Sequence, residues 1–164
     1  MAFGLCVVGC GEYTQMVMDE FLDLPEKVNL FFASRHLQKS KEYAQKYKAA
    51  GYFGDYETAA RDPRVNAMYF LTPHDVHLEN VKLATKYKKD ILLEKPIART
   101  LIEGQQILKI TKDNNIKCMI AENYQFMPVN IAAKEIVQSG RLGDIRQVDI
   151  YCVVRSSFDG WTWR

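Results

Sequence analysis

The residues best placed to do chemistry near the start of the chain are the glycines of Gly9-Cys10-Gly11. They follow a short apolar run and precede a segment of helical period. Gly-x-Gly at such a junction permits a tight turn and a close approach of the backbone to a phosphate, which helix N–H groups can bind. The third position of the motif, where Gly or Ala is usual, is Thr14. The pattern fits either a pyrophosphate loop or an ordinary strand–turn–helix junction.

A second group of residues suggests which dinucleotide such a loop would hold. A cofactor with free ribose hydroxyls meets an Asp or Glu roughly 20 residues after the glycines. Here the second apolar run is followed by Ser34-Arg35, then by His36 and Lys39. A hydroxyl and a guanidinium suit a 2′-phosphate, so the sequence favours NADP over NAD. Ser34 could also cap the next helix, and both interpretations can hold together.

The elements that must position these residues are apolar runs of strand length alternating with helical segments. Strands are predicted at 3–9, 28–33, 52–54, 67–71, 91–93 and 117–121, and helices at 12–24, 36–49, 56–61 and 129–139. We expect Met16, Phe21 and Leu24 to face inward. A further helix, capped by Thr72 or Asp75, runs to residue 89, and the capping box Thr100-x-x-Glu103 opens another to about residue 114.

Strands that are apolar throughout and alternate with helices indicate a parallel sheet covered on both faces. The predicted fold is therefore α/β, a Rossmann-type doubly wound parallel sheet over residues 1–122. In such sheets, ligands bind beyond the carboxyl ends of the strands at the switch point. The motifs above both follow predicted strand ends.

Composition limits the classes of partner. The 164 residues carry a net charge of +2, so nothing points to nucleic acid, and the basic run Lys82, Lys86, Lys88 and Lys89 is interpreted as a solvated helix face. No apolar run is long enough to span a membrane, and the N-terminus lacks the pattern of a secretory signal. The four cysteines form no Cys-x-x-Cys pair, which favours reduced thiols and a cytoplasmic protein.

Several motifs, taken in order, resemble the Gfo/Idh/MocA family of oxidoreductases. They are Thr72-Pro73-His74-Asp75-Val76-His77, Glu94-Lys95-Pro96, residues 121–128 and residues 139–145. The family includes glucose–fructose oxidoreductase, inositol dehydrogenases and dihydrodiol dehydrogenases. The resemblance implies hydride transfer between NAD(P) and a sugar, a cyclitol or a related small alcohol.

The resemblance also implies roles for individual residues. Lys95 would be catalytic, touching the substrate hydroxyl and the nicotinamide, because a lysine beside a cationic ring can accept or stabilise the hydroxyl proton. Cofactor binding would involve the residues Gly9, Cys10, Gly11, Glu12, Tyr13, Thr14, Ser34, Arg35, Leu71, Thr72, Pro73, His74, His77, Glu94, Lys95, Asn123, Trp163 and Arg164. His77 could instead orient its loop. No metal is predicted, since His74 and His77 lack a third ligand.

Departures from the family pattern set the remaining expectations. Thr14 could shift the first helix or place its hydroxyl on a phosphate. Family members are about twice as long, so residues 123–164 are interpreted as the beginning of a truncated C-terminal domain, with a strand at 145–154. We expect cofactor binding without a full catalytic site, and self-association into a homo-oligomer through that strand. The alternative is a non-catalytic dinucleotide-binding or assembly module, complete at this length.

Overall fold

A computed structural model describes residues 2–20, 27–151 and 153. Within them, one six-stranded sheet has the order β3-β2-β1-β4-β5-β6, and neighbouring strands are parallel. The strands are β1 Phe3–Val8, β2 Val28–Ala33, β3 Gly51–Phe53, β4 Ala67–Phe70, β5 Asp90–Leu93 and β6 Cys118–Ile120. The predicted doubly wound parallel sheet is confirmed.

The helices alternate with the strands, as the sequence predicts. They are α1 Glu12–Glu20, α2 Leu37–Lys46, α3 Tyr56–Arg61, α4 His77–Lys86, α5 Leu101–Asp113 and α6 Pro128–Gln138, with 3₁₀ turns at His74–Val76 and Asn123–Phe126. The bounds predicted for β2 and α3 are confirmed residue for residue.

Hydrophobic packing covers both faces of the sheet. On β1 and its neighbours, Cys6 and Phe70 point into one buried cluster, while Val7, Phe32 and Tyr69 point into the other. Burying an apolar side chain of this size contributes roughly 1.5–3 kcal/mol, so each of the two clusters stabilises the face of the sheet on which it lies. The continuous apolar runs in the sequence follow from this arrangement.

The first helix corrects one expectation and leaves two others outside the described residues. Met16, predicted to face inward, is 55% exposed. The buried positions are Thr14 and Met18, which lie one turn apart, and Met16 projects from the other side of that turn. Phe21 and Leu24 lie outside the described residues.

The caps predicted for two helices have different outcomes. The prediction that Thr72 or Asp75 caps α4 is wrong, because the 3₁₀ turn His74–Val76 leads directly into the helix and Val76 is its N-cap. For α5, Thr100 is confirmed as the N-cap, and its hydroxyl accepts a hydrogen bond of 3.2 Å from the N–H of Glu103. The Glu103 carboxylate in turn accepts from the N–H of Arg99.

Lysines of the basic run, which begins in α4 and extends past its end, contact other groups of the protein. Lys82 pairs with Glu79 at 2.6 Å, and Lys86 pairs with Glu57 at 3.1 Å. Lys89 donates to the carbonyl oxygens of Asp62 and Val65. Exposed ion pairs of this kind contribute little to the stability of the fold, because solvent screens the two charges.

The chain divides into two compact units, Met1–Glu122 and Asn123–Arg164. In the second unit, Pro128 begins α6, and Gly140 follows the C-cap residue Ser139 with a left-handed φ of +70°. The strand predicted at 145–154 is not found in its described part, residues 145–151 and 153. A strand exists only through pairing, and these residues pair with no other described segment.

The length and composition of the helices bear on membrane association. Across the described residues, none of the helices combines the length and the apolar character that crossing a bilayer requires.

The cap of α5 yields a stability prediction. Replacing Thr100 by Ala removes the acceptor for the Glu103 N–H, so we expect the free energy of unfolding to fall by about 1 kcal/mol in urea denaturation. Thr100→Ser keeps the hydroxyl and serves as the matched control. Equal stabilities of the Ala and Ser variants would contradict the capping role.

Candidate functional site

The loops after β1 and β4 meet at the switch point of the sheet. Gly9 has a φ of +101°, and a Cβ atom at this position would lie 2.8 Å from the carbonyl oxygen of Leu71. The backbone conformation and the close approach therefore both require glycine at this position. The contact places the Gly9 loop beside Thr72, at the carboxyl ends of two adjacent strands.

Thr14 holds the Gly9 loop from inside. Its side chain has no exposed area, and its hydroxyl donates a hydrogen bond of 2.8 Å to the carbonyl oxygen of Gly9. The expectation that this hydroxyl lies on a phosphate is therefore corrected: its proton is directed into the protein. Thr14 stands where the motif usually has Gly or Ala for close packing of the helix on the strand. Its hydrogen bond to Gly9 holds the loop in place.

Gly11 leaves open space beside the first turn of α1. A Cβ added there would meet no atom within 4 Å. The carbonyl oxygen of Gly11 is fixed by the hydroxyl of Tyr43 at 2.9 Å and by the N–H of Gln15 at 3.2 Å. The start of a helix with open space in front of it is suited to an anion such as a pyrophosphate, because the first N–H groups of a helix have no partner within the helix. Glu12 and Tyr13 form the first turn, with the Glu12 side chain exposed.

One cleft joins this loop to the ends of β2, β3 and β4. Its volume is about 260 Å³, and it is lined by Gly9, Cys10, Gly11, Ser34, Arg35, His36, Lys39, Tyr56, Leu71, Thr72 and Pro73. The structure therefore brings eight of the predicted residues together. Tyr56, which the sequence analysis did not identify, follows β3, so the carboxyl end of that strand was the available signal.

The charge in the cleft comes from the residues after β2. Ser34 is buried, and its hydroxyl accepts a hydrogen bond of 3.2 Å from the N–H of His36. The N-cap of α2 is His36, so Ser34 forms a turn rather than the helix cap considered from the sequence. Arg35 and Lys39 are exposed. Arg35 lies close enough to Tyr56 to oppose the rise that burial causes in the pKa of that tyrosine.

Cys10 lines the cleft with a buried thiol. Burial raises its pKa to about 12, and the nearby charge of Lys39 only partly opposes this. Cys6 and Cys118 are also free and have raised pKa values because of burial. Within the part of the chain that the structure describes, no three His, Cys, Asp or Glu side chains could jointly hold a metal ion.

The loop after β4 is held by buried polar contacts. Thr72 accepts a hydrogen bond of 2.8 Å from the Asn80 amide through its hydroxyl oxygen. His77 is fully buried, with Nε2 3.0 Å from the carbonyl oxygen of Thr72 and Nδ1 3.3 Å from that of Ile97. The ring thus ties the loop after β4 to the loop after β5. These contacts agree with the alternative that His77 orients its loop. The side chains of His74 and Pro73 are exposed.

The side chains of Glu94 and Lys95, which directly follow β5, differ in exposure to solvent. Glu94 is 6% exposed and accepts a hydrogen bond of 2.6 Å from the hydroxyl of Tyr69. Lys95 is exposed and precedes a cis peptide bond to Pro96. A solvent-facing amine at the carboxyl edge of the sheet can reach a ligand there, while the glutamate is held inside.

The remaining predicted site residues lie in the second unit. Asn123 is exposed and begins a 3₁₀ turn. Trp163 and Arg164 lie outside the described residues.

Comparison with known proteins identifies the family. The model of the family described as "Oxidoreductase family, NAD-binding Rossmann fold" matches residues 3–122, which is more than half of the chain. The chain belongs to the Gfo/Idh/MocA oxidoreductase family. The resemblance noted in the sequence motifs is thereby confirmed, and the matched residues are those that build the sheet and the cleft.

This chain matches only part of the length of individual relatives in the Gfo/Idh/MocA family. Trans-1,2-dihydrobenzene-1,2-diol dehydrogenase of Danio rerio is 28% identical over 148 residues, covering 90% of this chain and 44% of that protein. The Homo sapiens protein of the same name is 32% identical over 114 residues, covering 70% and 34%. A levoglucosan dehydrogenase, in complex with NADH and levoglucosan, matches with a TM-score of 0.74 at 25% identity, covering 87% and 41%. The chain thus spans less than half the length of these relatives.

The two glycines of the loop predict separable effects. Gly9→Ala places a Cβ atom on a left-handed backbone and against the carbonyl oxygen of Leu71. We therefore expect the free energy of unfolding to fall by more than about 1 kcal/mol. Gly11→Ala fills the open space in front of α1, so we expect weaker dinucleotide binding with a smaller loss of stability. Thermal unfolding and titration with NADPH, followed by fluorescence, measure both quantities. Wild-type affinity in Gly11→Ala would contradict the pyrophosphate site.

Proposed function

We propose that this member of the Gfo/Idh/MocA family binds NADP(H) along the carboxyl edge of its sheet and serves in hydride transfer to or from a small alcohol. The observation that carries the proposal is the continuous cleft joining the Gly9–Gly11 loop to Ser34, Arg35 and Thr72. It runs across the switch point, where doubly wound sheets bind dinucleotides. Gly11 offers space for the pyrophosphate, and Lys95 is exposed at the end of β5.

The preference for NADP rests on the charges at the adenosine end of the cleft. Among the described residues that line it, none is an Asp or a Glu, so no carboxylate there would accept ribose hydroxyls or repel a phosphate. Arg35 and Lys39 supply two cationic groups, and the buried Ser34 hydroxyl fixes the turn from which Arg35 projects. Charge-assisted hydrogen bonds from a guanidinium to a phosphate are strong and directional.

The reacting end of the site would be formed around Lys95. The bound cofactor supplies the hydride acceptor or donor. The Lys95 amine would hold the substrate hydroxyl and take or return its proton, since alcohol oxidation releases a proton as the hydride leaves. The backbone that carries Lys95 is fixed by Glu94 on one side and by Pro96 on the other.

The proposed substrate is a small ring compound bearing hydroxyl groups. The relatives that support this are named for a dihydrobenzene diol and for levoglucosan. Both names describe ring alcohols. An exposed lysine amine beside a nicotinamide could hold the hydroxyl group of either. The substrate and the activity of the whole protein are part of the proposal, as is the expectation that the chain, by itself, binds the cofactor more readily than it turns over an alcohol.

Removing Arg35 tests the cofactor preference. In Arg35→Ala, we expect the affinity for NADPH to fall about tenfold or more, because one charge-assisted contact of about 1.5–3 kcal/mol is lost, while the affinity for NADH stays nearly unchanged. Fluorescence titration with each reduced cofactor measures both values.

The matched control is Arg61→Ala, which removes the same charge from the last residue of α3, a residue that does not line the cleft. An unchanged NADPH affinity in Arg35→Ala, or an equal loss in the control, would contradict the assignment of Arg35 to the 2′-phosphate.

A further inference from the structure

A buried tyrosine–glutamate contact lies beneath the reacting end of the proposed site. Tyr69 on β4 is 4% exposed, and its hydroxyl donates a hydrogen bond of 2.6 Å to Oε1 of Glu94. Tyr69 pairs with Leu92 across the two strands, and Glu94 is two residues beyond Leu92, directly after the end of β5. The contact therefore follows from the register of the sheet.

Glu94 receives further donors through its other oxygen. Oε2 accepts the backbone N–H of Lys95 at 3.2 Å, and the hydroxyl of Tyr13 lies 3.5 Å away. Tyr13 belongs to the first turn of α1, directly after the Gly9–Gly11 loop. One carboxylate thus joins the centre of the sheet, the start of α1 and the residue that carries the exposed amine.

The donor in this contact keeps its proton. Burial, the hydrogen bond to Glu94 and the charge of that carboxylate all raise the pKa of Tyr69 well above its usual range. The hydroxyl therefore stays available to donate across the accessible pH range, and the geometry at Glu94 does not depend on titration of the tyrosine.

We propose that Tyr69 is a positioning residue, which holds Glu94 so that Glu94 fixes the backbone of Lys95 against the nicotinamide end of the cofactor. The resemblance implies that Glu94 binds the cofactor. In the structure, three protein donors already surround its carboxylate, and little of it is exposed. Glu94 then acts through Lys95 rather than by touching the cofactor.

The test separates the two ends of the cofactor, because the inference rests on the proposed function. Wild type and Tyr69→Phe are titrated with NADPH and with 2′,5′-ADP, which has the adenosine and its 2′-phosphate but lacks the nicotinamide half. We expect Tyr69→Phe to lower the affinity for NADPH about tenfold, since a buried acceptor loses its donor, and to leave that for 2′,5′-ADP within about twofold.

Tyr87→Phe is the matched control, because Tyr87 also donates to a glutamate, Glu57, but packs against the opposite cluster of the sheet. It should bind both ligands as wild type does. Glu94→Gln keeps the shape of the side chain while weakening the acceptor, and it should show the same division between the two ligands if Tyr69→Phe does not fold. Circular dichroism reports folding of each variant.

Each result decides the inference. An unchanged NADPH affinity in folded Tyr69→Phe and Glu94→Gln would overturn it, and so would an equal loss for both ligands, which indicates a general disturbance of the cleft. If wild-type protein bound neither NADPH nor 2′,5′-ADP, the proposed function would fail, and the inference with it.

Discussion

The parallel register of the sheet is the constraint on which the site depends. Val8 pairs with Ala33 and with Phe70, and Phe70 pairs with Leu93, so β2, β1, β4 and β5 end at one level. Each strand end is followed by a loop, and the four loops share one edge. Residues far apart in sequence are collected there because the backbone hydrogen bonds fix the register, and a slip of one residue would reverse every side chain.

Polar contacts within the protein then fix the conformation of these loops. Thr14 binds the Gly9 carbonyl, His77 lies between two loop carbonyls, and Tyr69 holds Glu94. All of these contacts involve buried or nearly buried side chains, where an unsatisfied partner would be costly. The loops are therefore shaped before a ligand arrives, which reduces the ordering cost of binding.

Much of the fold could be predicted from the sequence, because buried parallel strands leave continuous apolar runs and Thr100 is a strong local cap. The direction of polar side chains could not. Thr14 and His77 belong to motifs that suggest ligand contact, yet tertiary packing directs both into the protein. Tyr56 was missed because its one available signal is that it follows β3, a strand of only three residues. Met16 was assigned to the wrong face of α1, because in a short helix the sequence pattern does not fix which side packs on the sheet.

The central claim is that one dinucleotide contacts all four loops at once. Backbone amide chemical shifts of the ¹⁵N-labelled chain, followed during titration with NADPH, test this most directly. The account predicts that the amides of Gly11, Arg35, Thr72 and Lys95 shift together, with one common dissociation constant. Shifts confined to other surfaces, or saturating at different concentrations in different loops, would contradict it.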